Sequence, residues 1–341
     1  MLLSGSPTGA LSGSLPEAVD VCVVGGGQSA LALAFHLRRA ERRRTGTPLT
    51  VVLLDARAQP GGAWQDAWPS LRLFSPAGYS SLPGRLMPRP PGDEPPDAAH
   101  VVDYLADYEQ RYDVDVRRPV RVETVERAED GLRVRTDHGT LRADVVVRAT
   151  EAWTPRLPGL RRALAPVYSL VIATEPLGEE RARSLIPQNM ALCDQRVALD
   201  YYRLSADHRL LFGGACHYSG RDPADIAAYM RPKMLKVFPQ LADVKVEYQW
   251  GGMIGIGANR LPQIGRLDEQ PNVFYAQAYS GHGVNATHLA ARLLAEAIVT
   301  QASTGFDIFA KVPHMAFPGG QRFRAPLLAM GMLWERTKEL F

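Results

Sequence analysis

The chain has 341 residues, of which 46% are hydrophobic and 22% are charged, and its formal net charge is +3 at pH 7. This length and apolar content allow two domains with sizeable cores, as in an ordinary globular protein. The small net charge, with Lys and Arg dispersed, gives little support for nucleic-acid binding. No apolar stretch approaches the roughly 18–20 residues of a membrane span, and none reads as a secretory signal.

Residues 1–17 are rich in Ser, Gly, Leu and Pro without periodicity, and we expect them to form a mobile leader. The three cysteines, Cys22, Cys193 and Cys216, are far apart and odd in number. This pattern predicts free thiols in a reducing compartment, by default the cytoplasm. The eight histidines show neither His-x-x-x-His nor His-Glu-x-x-His spacing, so the sequence predicts no metal site.

The first motif is a glycine-rich turn that follows an apolar strand beginning near Val21. It reads Gly25-Gly26-Gly27-Gln28-Ser29-Ala30 and leads into a long helical pattern. In such a turn the first glycine permits the tight bend, the second lets a diphosphate approach the backbone, and the small third residue lets helix and strand pack. The helix N-terminus adds free N–H groups. The motif predicts a dinucleotide site, and a purely structural turn is the alternative.

A second apolar run, residues 50–54, ends at Asp55. A carboxylate at this place can accept hydrogen bonds from an adenosine ribose, although its interval from the turn exceeds the usual figure of about 20 residues. Gly62 and Trp64 then open a long irregular passage, rich in aromatics and Pro, that runs to Pro96. Connections of this length often cover a ligand.

The next elements are predicted from capping and periodicity. Asp97 is a plausible N-cap for a helix to Tyr112. Strands follow at 114–118, 120–127, 131–136 and 140–148, and the last ends at the small residues Ala149 and Thr150, where backbone could approach a cofactor. Further strands at 167–174, 196–204, 209–216 and 245–251, with a helix at 223–238, predict a second, antiparallel domain.

A second tight turn, Ser280-Gly281-His282-Gly283, lies between a strand at 272–277 and an Ala-rich and Leu-rich helix at 285–299. The positive end of a helix dipole near Val284 would stabilise the negative charge of a reduced flavin. An ordinary strand-turn-helix crossover is the alternative. With this helix the chain returns to its first domain.

From about residue 143 to 341 the chain resembles the FAD-dependent amino-acid and amine oxidases of the D-amino-acid-oxidase superfamily, in particular the γ-glutamylputrescine oxidoreductase branch. The matching strings lie at residues 148–152, 172–177, 199–204, 211–214, 231–235, 260–266, 280–284 and 318–320. Residues 20–140 instead resemble flavin-containing monooxygenases, through Gly61-Gly62-Ala63-Trp64 and the string at 70–76. The sequence thus reads as a mosaic of two related FAD architectures.

The resemblance implies an α/β fold with a Rossmann-like, glutathione-reductase-type FAD-binding domain that is discontinuous, and an antiparallel-sheet substrate domain. We expect the FAD-binding domain at 18–160 plus 260–300, the substrate domain at 161–259 and a C-terminal extension at 301–341. The predicted cofactor residues are Gly25, Gly27, Gln28, Ser29, Ala30, Asp55, Gly62, Trp64, Ala149, Thr150, Gly265, Gly281, His282, Gly283 and Val284. The candidates for substrate contact or catalysis are His282, Trp250 and Arg260.

The implied reaction is oxidation of a small amine or amino acid by hydride transfer to FAD, with hydrolysis of the imine and reoxidation by oxygen or another acceptor. Two alternatives stay open. One is an NADPH-dependent flavin monooxygenase, although no second Gly-x-Gly-x-x-Gly occurs later in the chain. The other is a catalytically inactive FAD-binding protein, because the Arg-Asn-Gly-Gly-like string that such oxidases carry near the flavin is missing here. The sequence predicts no oligomeric state.

Overall fold

The computed structural model describes residues 14–42, 46–68, 71–73, 75–92, 94–148, 163–196, 198–217, 223–301 and 303–338. The strands within these ranges form two sheets, one of eight strands and one of five. No helix in these ranges is long and apolar enough to cross a bilayer. Cys22, Cys193 and Cys216 are all free thiols.

The first sheet has a parallel centre. Its strands are β1 (Ala18–Val24), β2 (Val51–Leu54), β3 (Val116–Arg117), β4 (Val122–Ala128), β5 (Gly131–Thr136), β6 (Gly139–Arg148), β12 (Gln263–Arg266) and β13 (Val273–Gln277). The order is β12-β13-β6-β1-β2-β3, and β4 and β5 form a meander that joins β6. β1 is buried on both faces, which explains its continuous apolar run.

Helices cover one face of this sheet and the meander covers the other. The helices α1 (Gln28–Glu41), α2 (Ala98–Arg111) and α5 (Gly283–Thr300) share one apolar cluster with alternate residues of the strands. α1 and α5 pack side by side through small residues such as Ala34 and Ala291. Asp97 caps α2 as predicted, since its side chain accepts a hydrogen bond of 2.8 Å from the backbone N–H of His100.

The second sheet is antiparallel throughout and has the order β11-β7-β10-β9-β8. Its strands are β7 (Leu164–Thr174), β8 (Leu192–Cys193), β9 (Tyr201–Leu204), β10 (Leu210–His217) and β11 (Val246–Gly257). The helices α3 (Glu179–Leu185) and α4 (Ile226–Val237) cover one face. The strand expected at 196–204 begins only at Tyr201, because the Asp194 side chain accepts from the N–H groups of Arg196 and Asp200 and holds a turn there.

The α/β fold class predicted from the sequence is confirmed, since a parallel Rossmann-like sheet is accompanied by a separate antiparallel sheet. β12 and β13 return to the first sheet, next to β6. The helices α6 (Thr304–Ala310) and α7 (Gly320–Lys338) follow α5. The proposed boundaries between domains stay predictions, and the one at residue 160 lies outside the described residues.

Candidate functional site

The first glycine turn has the geometry of an anion cradle. Gly25 has a φ of +119°, and its N–H donates a hydrogen bond of 2.9 Å to the carbonyl of Leu54 on the neighbouring strand. The residue before α1 is Gly27, which has no side chain with which to cap the helix. The first N–H groups of α1 therefore stay available to an anionic ligand.

A second loop, Gly61-Gly62, lies directly against this turn. Both glycines have positive φ, +108° and +56°. A Cβ atom added at Gly62 would lie 2.9 Å from the Cα atom of Gly27, and real Cβ atoms essentially never approach so closely. The wall of the cradle is therefore built from backbone of two separate segments, and glycine is required where they meet.

The side chain of Gln28 joins three segments at this point. Its Nε2 donates to the carbonyl of Val284 at 2.9 Å, and its Oε1 accepts from the indole Nε1 of Trp64 at 3.1 Å. Val284 lies in the first turn of α5, so the N-termini of α1 and α5 are held side by side. The residue before α5, His282, makes no capping hydrogen bond with its side chain. Two positive helix ends thus converge on one site.

Asp55 lies at the end of β2, as predicted, but it belongs to a buried ion cluster. Its Oδ2 accepts a hydrogen bond of 3.1 Å from Nε of Arg118, and Nη1 of Arg118 donates to Glu109 at 2.6 Å. Asp55 and Arg118 are only 6% and 7% exposed. A Cβ atom at Gly26 would lie 2.6 Å from Oδ2 of Asp55. Arg118 therefore holds the Asp55 carboxylate against the glycine turn.

A cleft of about 790 Å³ separates the first glycine loops from the second sheet. One wall includes Ala63 and Trp68, which follow Gly62, and the other includes Ala173, Leu211 and Trp250 on three strands of the second sheet. The rings of Trp68 and Trp250 have centroids 5.2 Å apart. The cleft therefore begins beside the cradle, and the two tryptophan rings that border it are in contact with each other.

The register of the second sheet explains which of its residues face the cleft. Trp250, Val171, Gly213 and Tyr201 are direct neighbours across four strands and so point to the same face. The hydroxyl of Tyr201 hydrogen bonds with that of Ser169 at 2.9 Å, and burial raises the pKa of Tyr201. Tyr202 points the other way, into the core.

The charged groups that line the cleft already have partners. Asp66 accepts from Arg57 at 2.6 Å, and Arg209 donates to Asp207 at 2.7 Å and also to Glu247. The Arg209 guanidinium lies 5.0 Å from the centre of the Tyr248 ring. The lining is therefore aromatic with neutralised charge. No group of three or more metal-binding side chains is present in the described part of the chain.

The structure brings most of the predicted cofactor residues together. They lie in the glycine turn and first residues of α1, in the short helix at Gly62–Asp66, and in the turn before α5 and its first residues: Gly25, Gly27, Gln28, Ser29, Ala30, Gly62, Trp64, Gly281, Gly283 and Val284. His282 is exposed beside them, and Gly265 instead contacts the Tyr275 ring on β13. Arg260 is exposed in the turn after β11, away from the residues that line the cleft. Ala149 and Thr150 lie outside the described residues.

The sequence patterns do not reveal two contributors to the site. Arg118 lies far from Asp55 in the chain, and no motif marks it as a partner. Trp68 stands out in the sequence only as part of an aromatic passage. A buried acidic residue at the end of β2 does require a partner, so the need for a cation could have been inferred, but not the cation itself.

A glycine cradle on a parallel sheet, faced across a cleft by an antiparallel sheet, is suited to hold a dinucleotide beside a substrate cavity. The family model described as "FAD dependent oxidoreductase" matches residues 91–297, and one described as "NAD(P)-binding Rossmann-like domain" matches residues 23–68. The first of these covers more than half of the chain. The chain therefore belongs to the FAD-dependent oxidoreductase family, whose cofactor is FAD.

Individual relatives agree with this assignment. The chain is 48% identical over 208 residues to γ-glutamylputrescine oxidoreductase from Escherichia coli, a match that covers 60% of this chain and 48% of that protein. The chain thus spans about half the length of this relative. Two solved structures show the same fold. They are L-proline dehydrogenase from P. horikoshii (TM-score 0.61, 16% identity, 85% of this chain and 96% of that one) and glycine oxidase from Geobacillus kaustophilus (TM-score 0.60, 17% identity, 88% and 100%).

Proposed function

We propose that the chain uses FAD to oxidise the carbon–nitrogen bond of a small amine or amino acid. The observation that carries this proposal is the position of the aromatic cleft, which shares the segment from Gly62 to Trp68 with the glycine cradle. The similarity to γ-glutamylputrescine oxidoreductase supports an amine substrate. The three free thiols favour a reducing compartment, and we propose the cytoplasm.

The residues of the cradle fit FAD. The backbone contact between Gly27 and Gly62 leaves no side chain in the way of a diphosphate, and the uncapped N-terminus of α1 offers donors to it. Asp55 would hold the ribose, and the N-terminus of α5 at Gly283 would face the pyrimidine end of the flavin. Bound FAD supplies a two-electron acceptor for the substrate hydride.

The cleft residues would position the substrate and keep water away from it. Trp68 and Trp250 offer flat apolar surfaces, and the paired charges around Arg209 leave little net charge in the lining. Such a lining favours a neutral amine, the protonation state that can lose a hydride from the carbon next to nitrogen. His282 stays a candidate base, because it borders the N-terminus of α5 without making a capping bond.

The test is the visible spectrum of the purified protein with bound FAD, followed without oxygen while amines and amino acids are added. Bleaching by an amine supports the proposal, and Trp250→Ala should weaken that amine's effect while Trp334→Ala, at an exposed site on α7, should not. Bleaching by NADPH alone would support a monooxygenase instead. Reduction by dithionite only would support an inactive FAD-binding protein.

A further inference from the structure

Arg148, the last residue of β6, is a buried cation for which the described residues supply no carboxylate. Only 9% of its surface is exposed, and its Nη1 atom makes no hydrogen bond. Among the described residues no carboxylate forms an ion pair with it, and burial alone lowers its pKa. A guanidinium taken out of water without a partner opposes folding. The presence of Arg148 at the buried end of β6 therefore needs an explanation.

Arg118 shows how this protein satisfies a comparably buried arginine. It is 7% exposed, and it donates to Asp55 at 3.1 Å and to Glu109 at 2.6 Å. Arg118 therefore has two carboxylates from the chain itself. Arg148 has no such provision among the described residues, so a bound anion can fill that role.

The register of the first sheet places Arg148 beside the glycine cradle. Its direct neighbours are Val24 on β1 and Tyr275 on β13. Val24 is the residue immediately before Gly25, and adjacent strands are about 4.8 Å apart. The Tyr275 ring lies against Gly265, whose added Cβ would be 2.7 Å from the hydroxyl oxygen. The backbone of Arg148 thus lies one strand away from the residue that precedes the glycine cradle.

We propose that Arg148 is the charge partner of the FAD diphosphate. The diphosphate of a dinucleotide lies on the glycine turn at the carboxyl end of the first strand, and β6 ends next to that turn. A diphosphate carries the negative charge that Arg148 lacks, and a guanidinium can donate two parallel hydrogen bonds to it. The inference rests on FAD binding and is independent of which substrate is oxidised.

If Arg148 pairs with the diphosphate, the substitution Arg148→Met should lower FAD affinity without lowering the stability of the apoprotein. Without ligand, Arg148→Met removes an unpaired buried charge and fills the space with apolar atoms, so the melting temperature of the apoprotein should rise or stay unchanged. With ligand, the same variant should bind FAD and ADP about 10- to 100-fold more weakly, as expected for the loss of a charge-assisted hydrogen bond. A residue that only supports the fold would lower the melting temperature instead.

The experiment compares apoprotein carrying Arg148→Met, Arg148→Lys or the control Arg266→Met, which removes an exposed arginine from β12. FAD and ADP affinities are measured by calorimetry, and adenosine serves as the probe without phosphate. We expect Arg148→Met to weaken FAD and ADP but not adenosine, Arg148→Lys to have an intermediate effect, and Arg266→Met to have none. If Arg148→Met does not fold, Arg148→Lys must still lose affinity for ADP relative to adenosine.

Two results would overturn the pairing. The first is unchanged FAD and ADP affinity in both Arg148 variants. The second is an equal loss for ADP and adenosine together with a lower apoprotein melting temperature, which would identify a structural role. Neither result bears on amine oxidation, because these measurements contain no amine. Conversely, a protein that binds FAD through Arg148 but is reduced by no amine would refute only the proposed reaction.

Discussion

The two sheets of this protein form their parts of the site by different means. In the first sheet the cradle is made of backbone, and glycines at Gly27 and Gly62 allow two loops to touch. In the second sheet the cleft wall is made of side chains, and Trp250 and Tyr201 share a face only because four strands align in one register. Cofactor binding should therefore depend on the small residues of the loops that follow the strands of the first sheet. Packing around Tyr201 should depend on the strand register of the second sheet.

The largest effect is expected from Arg118→Gln in the first sheet. The substitution leaves the buried carboxylate of Asp55 and the partly buried one of Glu109 without their cation, and breaking a buried ion pair in this way costs about 3–5 kcal/mol of unfolding free energy. Urea unfolding measures the loss. Arg57→Gln is the control, because Arg57 pairs with the exposed Asp66 and should cost at most about 1 kcal/mol. Similar small losses in both variants would contradict a structural role for the cluster.

Gly62→Ala should separate cofactor binding from stability. Its added methyl group would lie 2.9 Å from the Cα atom of Gly27 at a φ of +56°, so the two loops must move apart. We expect FAD binding to weaken about 100-fold, or ~2.8 kcal/mol, as measured by quenching of flavin fluorescence. Gly78→Ala, where no atom lies within 4 Å of the added Cβ, should bind FAD normally. Normal binding by Gly62→Ala would show that the cradle does not need this contact.

Gly213→Ala is the corresponding test in the second sheet. Its Cβ would lie 2.1 Å from the Tyr201 ring, and such overpacking costs about 1–3 kcal/mol. FAD affinity should be unchanged. Gly252→Ala on β11, with no atom within 4 Å, is the matched control. The double variant Gly213→Ala/Tyr201→Ala should show a coupling energy, because the second change removes the clash. Additive losses would mean that ring and glycine do not compete for space.

The smallest expected effect is a pH dependence of stability that arises from His36 in helix α1. Desolvation, together with Arg292, Arg39 and His288, lowers the pKa of His36 to about 4. In the unfolded chain the pKa of His36 is near 6.5, so as the pH falls His36 takes up a proton there before it does so in the folded protein. Stability should therefore fall as the pH drops from about 6.5 to 4. Because His36 is half-buried, we expect a loss of about 1 kcal/mol. Urea midpoints measured across this range should fall less in His36→Asn than in the unmodified protein. An equal slope in both proteins would exclude His36 as the cause.

Much of the fold was predictable because its determinants are local. The glycine turn at Gly25, the N-cap at Asp97 and the apolar periodicity of α5 each act within a few residues, and the structure confirms the elements that they predict. The start of β9 was not predictable in the same way. The turn held by Asp194 competes with strand formation, and its strength depends on the neighbours that the fold supplies.

The sequence alone determined the parallel glycine-rich sheet and the second antiparallel sheet, because these depend on residue type and spacing. Its resemblance to known oxidases indicated the FAD family. Only the tertiary structure decided which residues meet at the site. Arg118 beside Asp55, Gln28 beside Val284 and Trp68 beside Trp250 are all pairs distant in the chain. Such pairs follow from strand register and helix packing. Neither can be read directly from one sequence, since a shift of a strand by two residues keeps the same side chains on the buried face.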